Sequence, residues 1–161
     1  EKYRTDSVRY YLLREITPTE DGDFTYEKFE QRYNSDLAGG IGNLLSRTIA
    51  LAVKPSFKLK KLSKLAKAEI EKTKKNCKNN LEQFKFNEAL KSIWDLISFF
   101  DIYINKEKPW EWEKDASQVV SDCLFALDNI ADLLSPFLPE TSEKIKEALE
   151  KKESKPLFPR V

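Results

Sequence analysis

Histidine is absent from this 161-residue chain, and so is methionine. Without an imidazole, no side chain has an ordinary pKa suited to acid–base work near neutrality. The two cysteines, Cys77 and Cys123, fit no metal-ligand spacing and have no histidine to complete a site, so no metal is expected. They read as free thiols in a reducing cytoplasm. No apolar run approaches the ~20 residues of a membrane span and no signal peptide opens the chain, so neither a membrane nor secretion is expected. There is also no glycine-rich phosphate loop after a strand and no convergent acidic cluster. No catalytic residue emerges. A chain that starts at Glu1 without a methionine reads as a piece of something longer.

What is present is charge and helical periodicity. Charged residues make up 34% and apolar ones 40%, which is the balance of one helical domain with a wet surface. Net charge is only +1, but lysines crowd positions 54, 58, 60, 61, 64, 67, 72, 74, 75 and 78 against Glu69 and Glu71 alone. A polyanion partner on one face and a merely solvated lysine-rich helix both fit that asymmetry.

The spacing predicts helices over 6–15, with Asp6 or Ser7 as cap, and over 26–53, ended by Pro55. Between them, Pro18 and Asp21-Gly22-Asp23 mark a loop. A basic amphipathic helix follows over 63–83, with Leu62, Leu65, Ile70 and Leu81 apolar. The next begins at Phe86, with Leu90, Ile93, Ile97, Phe100 and Ile104 on one face, and stops near Asn105. Asp115 to Gln118 form a capping box for a helix whose core face is Val120, Cys123, Leu127, Ile130 and Leu134. Ser135 to Pro139 break it, 140–151 is the last helix, and 154–161 is extended. No strand pattern competes. The expected fold is an all-α helical bundle.

Two stretches carry chemistry. In Asp36-Leu37-Ala38-Gly39-Gly40-Ile41-Gly42-Asn43-Leu44-Leu45-Ser46-Arg47, helical spacing makes Asn43 and Arg47 surface neighbours. An amide beside a guanidinium suits nucleobase edges, and the guanidinium suits phosphate too. The three glycines each cost about 1 kcal/mol in a helix, so close backbone approach is expected there. Equally, they could let two helices pack while Asn43 and Arg47 are simply solvated. The second stretch is Ile104-Asn105-Lys106-Glu107-Lys108-Pro109-Trp110. Proline before tryptophan at a helix end can hold an indole out as a stacking platform, or the ring can fold back over the helix ends. Of Trp110 and Trp112, one is expected to pack and the other to be exposed. Lys60-Lys61-Leu62-Ser63-Lys64 has the look of a synthetase signature loop, but lies in the lysine run between two helices and is read as chance.

Arg9-Tyr10-Tyr11-Leu12-Leu13-Arg14-Glu15, Asp21-Gly22-Asp23-Phe24, Arg32 to Ala38, Gly42 to Arg47, Lys106-Glu107-Lys108-Pro109-Trp110 and Leu138-Pro139-Glu140-Thr141 follow one another in order. Together they resemble the C-terminal part of bacterial-type methionyl-tRNA synthetases over essentially the whole chain. The resemblance implies a helical bundle of the class I synthetase anticodon-binding type that reads the CAU anticodon of methionine tRNA. It implies that Asn43 and Arg47 contact anticodon bases and that Trp110 stacks on the wobble cytosine. Some members carry Asp where this chain has Asn105, which is therefore a further candidate contact. Lys54, Lys58, Lys60 and Lys61 are candidates for the phosphate backbone. Residues 1–24 are expected to link from an absent catalytic domain, and 25–161 to form the bundle. ATP and Mg2+ would serve that catalytic domain, with none used by these residues. The partners implied are methionine tRNA and the parent catalytic domain, in the cytoplasm. Two rivals remain: the matching domain of another class I synthetase, and a basic helical module without anticodon preference.

Overall fold

The computed structural model describes residues 3–16, 22–111, 116–153 and 155–160. The chain forms α1 (Thr5–Glu15), α2 (Tyr26–Arg32), a π-helical segment (Tyr33–Gly42), α3 (Asn43–Ala52), α4 (Lys64–Glu82), α5 (Phe86–Glu107), a 3-10 turn (Pro109–Glu111), α6 (Ala116–Leu134) and α7 (Pro139–Lys151). Among the described residues there is no strand. Each of α4 to α7 packs on its successor, α1 lies on α5, and α3 contacts α5, α6 and α7. Pro18, Asp21, Trp112 and the Asp115 start of the capping box lie outside the described residues.

Periodicity explains the core. Leu90, Ile93, Ile97, Phe100 and Ile104 of α5 are buried, as are Val120, Cys123, Leu127, Ile130 and Leu134 of α6. On α4 the buried face is Ala66, Ile70, Thr73 and Cys77, at steps of three and four residues. Leu65 points off that face and is exposed, against the expectation that it packs. Tyr10 and Tyr11 of α1 are also in the core, so α1 is packed into the bundle. Both cysteines are free and buried.

The expected helix over 26–53 is continuous to Ala52 but not uniform, because Tyr33–Gly42 is wound as a π-helix. There the buried residues Tyr33, Leu37 and Ile41 recur every four, as a wider turn requires. The glycines explain why it can widen. A Cβ on Gly39 would stand 2.9 Å from the Asn34 carbonyl oxygen, and one on Gly42 3.0 Å from that of Leu37. In each case the neighbour is the carbonyl five residues back in the same helix. The close approach is thus within the helix. The Trp94 indole of α5 also uses this thinned backbone: its Nε1 would lie 3.7 Å from a Cβ on Gly40, and it donates to the Asp36 carbonyl at 3.2 Å.

Asp6 does not cap α1. The N-cap there is Arg4, with no side-chain cap bond, and the Ser7 hydroxyl donates to the Arg4 carbonyl. Asp6 is buried, and its Oδ2 accepts from the Thr141 backbone N–H and the Thr141 hydroxyl, both at 2.7 Å. It supplies the cap that α7 lacks on its own Leu138. The tail is anchored similarly. Leu157 and Phe158 are buried, Arg4 donates to the Leu157 carbonyl, and the Phe158 ring sits 5.9 Å from Tyr33.

Candidate nucleic-acid interface

α3 begins at Asn43, where the π-winding ends, and carries Arg47 one turn on. The Arg47 guanidinium reaches α5: Nη1 donates to Asp101 Oδ1 at 3.2 Å and Nη2 to Asn105 Oδ1 at 2.8 Å. Its carbon lies 5.3 Å from the Trp110 ring centre, within cation–π range. Three elements therefore place three candidate residues, Arg47, Asn105 and Trp110, at one point of the surface. Arg47 is 27% exposed and Asp101 35%, so their ion pair adds little stability and acts chiefly to aim the guanidinium.

Asn105 is locked by its own helix. Its Nδ2 donates to the Asp101 carbonyl at 2.7 Å and to Asp101 Oδ2 at 3.2 Å, which leaves Oδ1 to accept from Arg47. An aspartate at 105 would have no N–H for those two bonds and would repel Asp101. Asp101 is the residue that sequence reading missed. The signal was available: Asp101 and Asn105 are polar residues four apart near the end of an apolar helix, just before Pro109-Trp110.

The exit from α5 sets the indole. Lys108 takes the left-handed conformation (φ 44°, ψ 55°), its N–H closing on the Ile104 carbonyl, and Pro109 is buried against the bundle. Trp110, next in the turn, is 43% exposed. It is presented at the surface, with Arg47 over its ring.

Asn43 is exposed and stands a turn away from this cluster, beside the tail. With Ser46, Pro156, Leu157, Phe158 and Arg160 it lines a cavity of about 260 Å3.

Lys54, Lys58, Lys60 and Lys61 are exposed. Their segment is not a loose link. The Lys58 N–H donates to Ser117 Oγ, that of Lys60 to Ser121 Oγ and that of Ser63 to Asp122 Oδ1, while Gln118 Nε2 donates to the Lys61 carbonyl. One polar face of α6 thereby satisfies the backbone of an extended strand of chain, and the lysine side chains stay in solvent. Asp122 is fully buried but well partnered: Gln118 and the Tyr103 hydroxyl also donate to it. The Tyr103 hydroxyl is held above its ordinary pKa by burial and then by the Asp122 charge. Ser63, inside the stretch that looked like a signature loop, accepts from the Ala66 N–H as the cap of α4.

Residues 63–159 match the family model described as anticodon-binding domain of tRNA ligase, and residues 1–49 match tRNA synthetases class I (M). Methionine–tRNA ligase of Clostridium tetani is 40% identical over 158 residues, covering 89% of this chain and 24% of its own length. That of Bacillus anthracis is 33% identical over 156 residues, covering 92% of this chain and 29% of its own. The chain thus spans less than a third of these relatives. The crystal structure of the apo form of Mycobacterium tuberculosis methionyl-tRNA synthetase superposes with a TM-score of 0.82 over 97% of this chain and 38% of that one. At 22% identity that likeness speaks for the fold.

Proposed function

The chain belongs to the family of anticodon-binding domains of tRNA ligases, and from that premise we propose that it reads the CAU anticodon of methionine tRNA. Arg47 and Asn43 face base edges, Trp110 stacks on the wobble cytosine, and Asn105 orients Arg47 from the side. The observation that carries the reading is the convergence of Arg47, Asn105 and Trp110 at one surface point. A single-strand reader needs a hydrogen-bonding group and a stacking face within one nucleotide of each other, and this point supplies both.

Two of Arg47's five N–H groups are held by Asp101 and Asn105, which fixes the plane of the fork before any base arrives. Such preorganisation reduces the entropy lost on binding. Lys54, Lys58, Lys60 and Lys61 lie on the segment pinned to α6, on which the turn carrying Trp110 also packs. They would hold phosphates and set position without choosing sequence. The proposal assigns ATP- and Mg2+-dependent methionylation to a catalytic domain of the same polypeptide, outside these residues.

The test is a titration of anticodon stem-loops at two salt concentrations. The CAU loop should bind more tightly than loops carrying other anticodons. A different preferred anticodon would give the chain to another class I synthetase. Equal binding of all loops would leave only a basic helical module.

A further inference from the structure

The cavity beside Asn43 belongs to neither the stacking cluster nor the lysine segment. It is about 260 Å3 in volume and is lined by Ala38, Gly42, Asn43 and Ser46 from the long helix and by Pro156 to Phe158 and Arg160 from the tail. Its polar side chains are an amide, a hydroxyl and a guanidinium, with no carboxylate. The neighbouring cavity on the far side of the tail, by contrast, mixes Lys144, Lys151 and Lys155 with Glu147 and Glu153. A hollow walled by hydrogen-bond donors and one cation, free of acid, suits an anion.

Arg160 is held there by construction. Leu157 and Phe158 are buried anchors, the first bonded through its carbonyl to Arg4 and the second packed on Tyr33 of the π-helical segment. Pro159 restricts the one residue between Phe158 and Arg160. Arg160 itself is exposed, so its charge is available to a ligand from solvent. Asn43 is shared by this cavity and by the helix face that carries Arg47, one turn on. A nucleotide whose base meets Asn43 therefore brings its own phosphodiester to the cavity.

We propose that Arg160 is a further RNA-binding residue of this site, pairing with the backbone phosphodiester of the nucleotide whose base Asn43 reads. The inference rests on the anticodon reading above and deepens it: the tail forms one wall of the site. Arg160 positions the strand and carries no base preference.

The experiment uses the whole chain, with stem-loops of cognate and non-cognate anticodon titrated across a salt series. Arg160→Gln should weaken both loops alike, by up to about fivefold at low salt, as one solvent-exposed charge contact allows. The slope of log affinity against log salt should shrink by about one contact's worth, ~0.7 for a single strand. Melting temperature should not move, and Arg160→Lys should recover most of the affinity. Wild-type affinity and slope in Arg160→Gln would overturn the proposal. So would a melting temperature that falls in both variants together with binding, since Arg160 would then be a structural residue. Trp110→Ala in the same titration separates the two readings. If it weakens the cognate loop while Arg160→Gln does not, only this inference fails; if neither matters, the anticodon reading fails with it.

Discussion

Trp94 and Trp110 are the same residue put to opposite uses. Trp94 lies inside the bundle, 8% exposed, with its indole N–H on the Asp36 carbonyl and its ring 4.3 Å from that of Tyr10. Trp110 lies at the rim, 43% exposed, with an arginine over its ring. One completes the hydrogen bonding of an irregular helix; the other offers an unfilled surface. The chain on either side decides which. Trp94 is in the middle of α5, on its core side, whereas Trp110 follows a left-handed lysine and a proline that turn the backbone out of the helix. Burial makes an indole a stability residue, and presentation makes it a binding one.

The sharpest way to break that contrast is to truncate both. Trp94→Ala should cost about 3–5 kcal/mol of fold stability, from the cavity and from the carbonyl left without its donor. Chemical denaturation measures this directly, and stem-loop binding should fall only in proportion to unfolding. Trp110→Ala should change stability by no more than ~1 kcal/mol. It should reduce affinity for the CAU stem-loop by roughly 1–3 kcal/mol, one stacked base. If Trp110→Ala melts early and binds normally while folded, the two tryptophans have been assigned the wrong way round.

The π-helical segment that Trp94 serves can be probed without touching it. Gly39→Ala forces a methyl to within 2.9 Å of the Asn34 carbonyl, a backbone atom that cannot swing away. The expected loss is about 1–3 kcal/mol in thermal or denaturant unfolding. A neutral or stabilising result would show that the winding tolerates a side chain.

A smaller effect separates core from rim by pH. Burial first, and then the Asp122 charge, pushes the Cys123 thiol up to about 12 from an ordinary 9.0. The folded state therefore keeps this proton after the unfolded chain has lost it. Stability from this group is complete below about pH 9 and declines by about 1.4 kcal/mol per unit as pH rises toward 12. Tyr10, raised by burial and then by Asp36, acts in the same direction from its own ordinary range upward. Unfolding free energies at pH 8 and 10 should show the decline, and Cys123→Ala should flatten its onset.

How much of this was legible depended on how local the cause was. The apolar faces of α5 and α6 could be read because residues three and four apart settle them. The all-α class followed from the same periodicity. The π-winding was not legible from spacing, since Tyr33, Leu37 and Ile41 also fit an α-helix; only the glycines signalled it. In the site, Arg47 and Trp110 had local signatures: an amide and guanidinium at helical spacing, and a proline before an indole. The contact between them had none, because it depends on α3 crossing the end of α5. The same holds for Asp101 and Arg160, and for the α6 side chains that pin the lysine segment. Asp6 was read as a nearby cap because the pattern shows only neighbours, and its actual partner is 135 residues away.

That distant cap has a consequence for how the molecule forms. Asp6 with Thr141, and Arg4 with Leu157, join parts of the chain separated by 135 and 153 residues. Long-range contacts of this kind assemble late, because the entropy of closing so large a loop must be met before they contribute. Translation delivers α1 first and α7 nearly last. The hairpins built from neighbours, α4 with α5 and α6 with α7, can form in the interval, while α1 waits with Tyr10 and Tyr11 uncovered. The last helix to emerge then begins with its first turn unsatisfied until the oldest segment returns to cap it. Completion of the bundle is therefore a single closing event that joins its two ends.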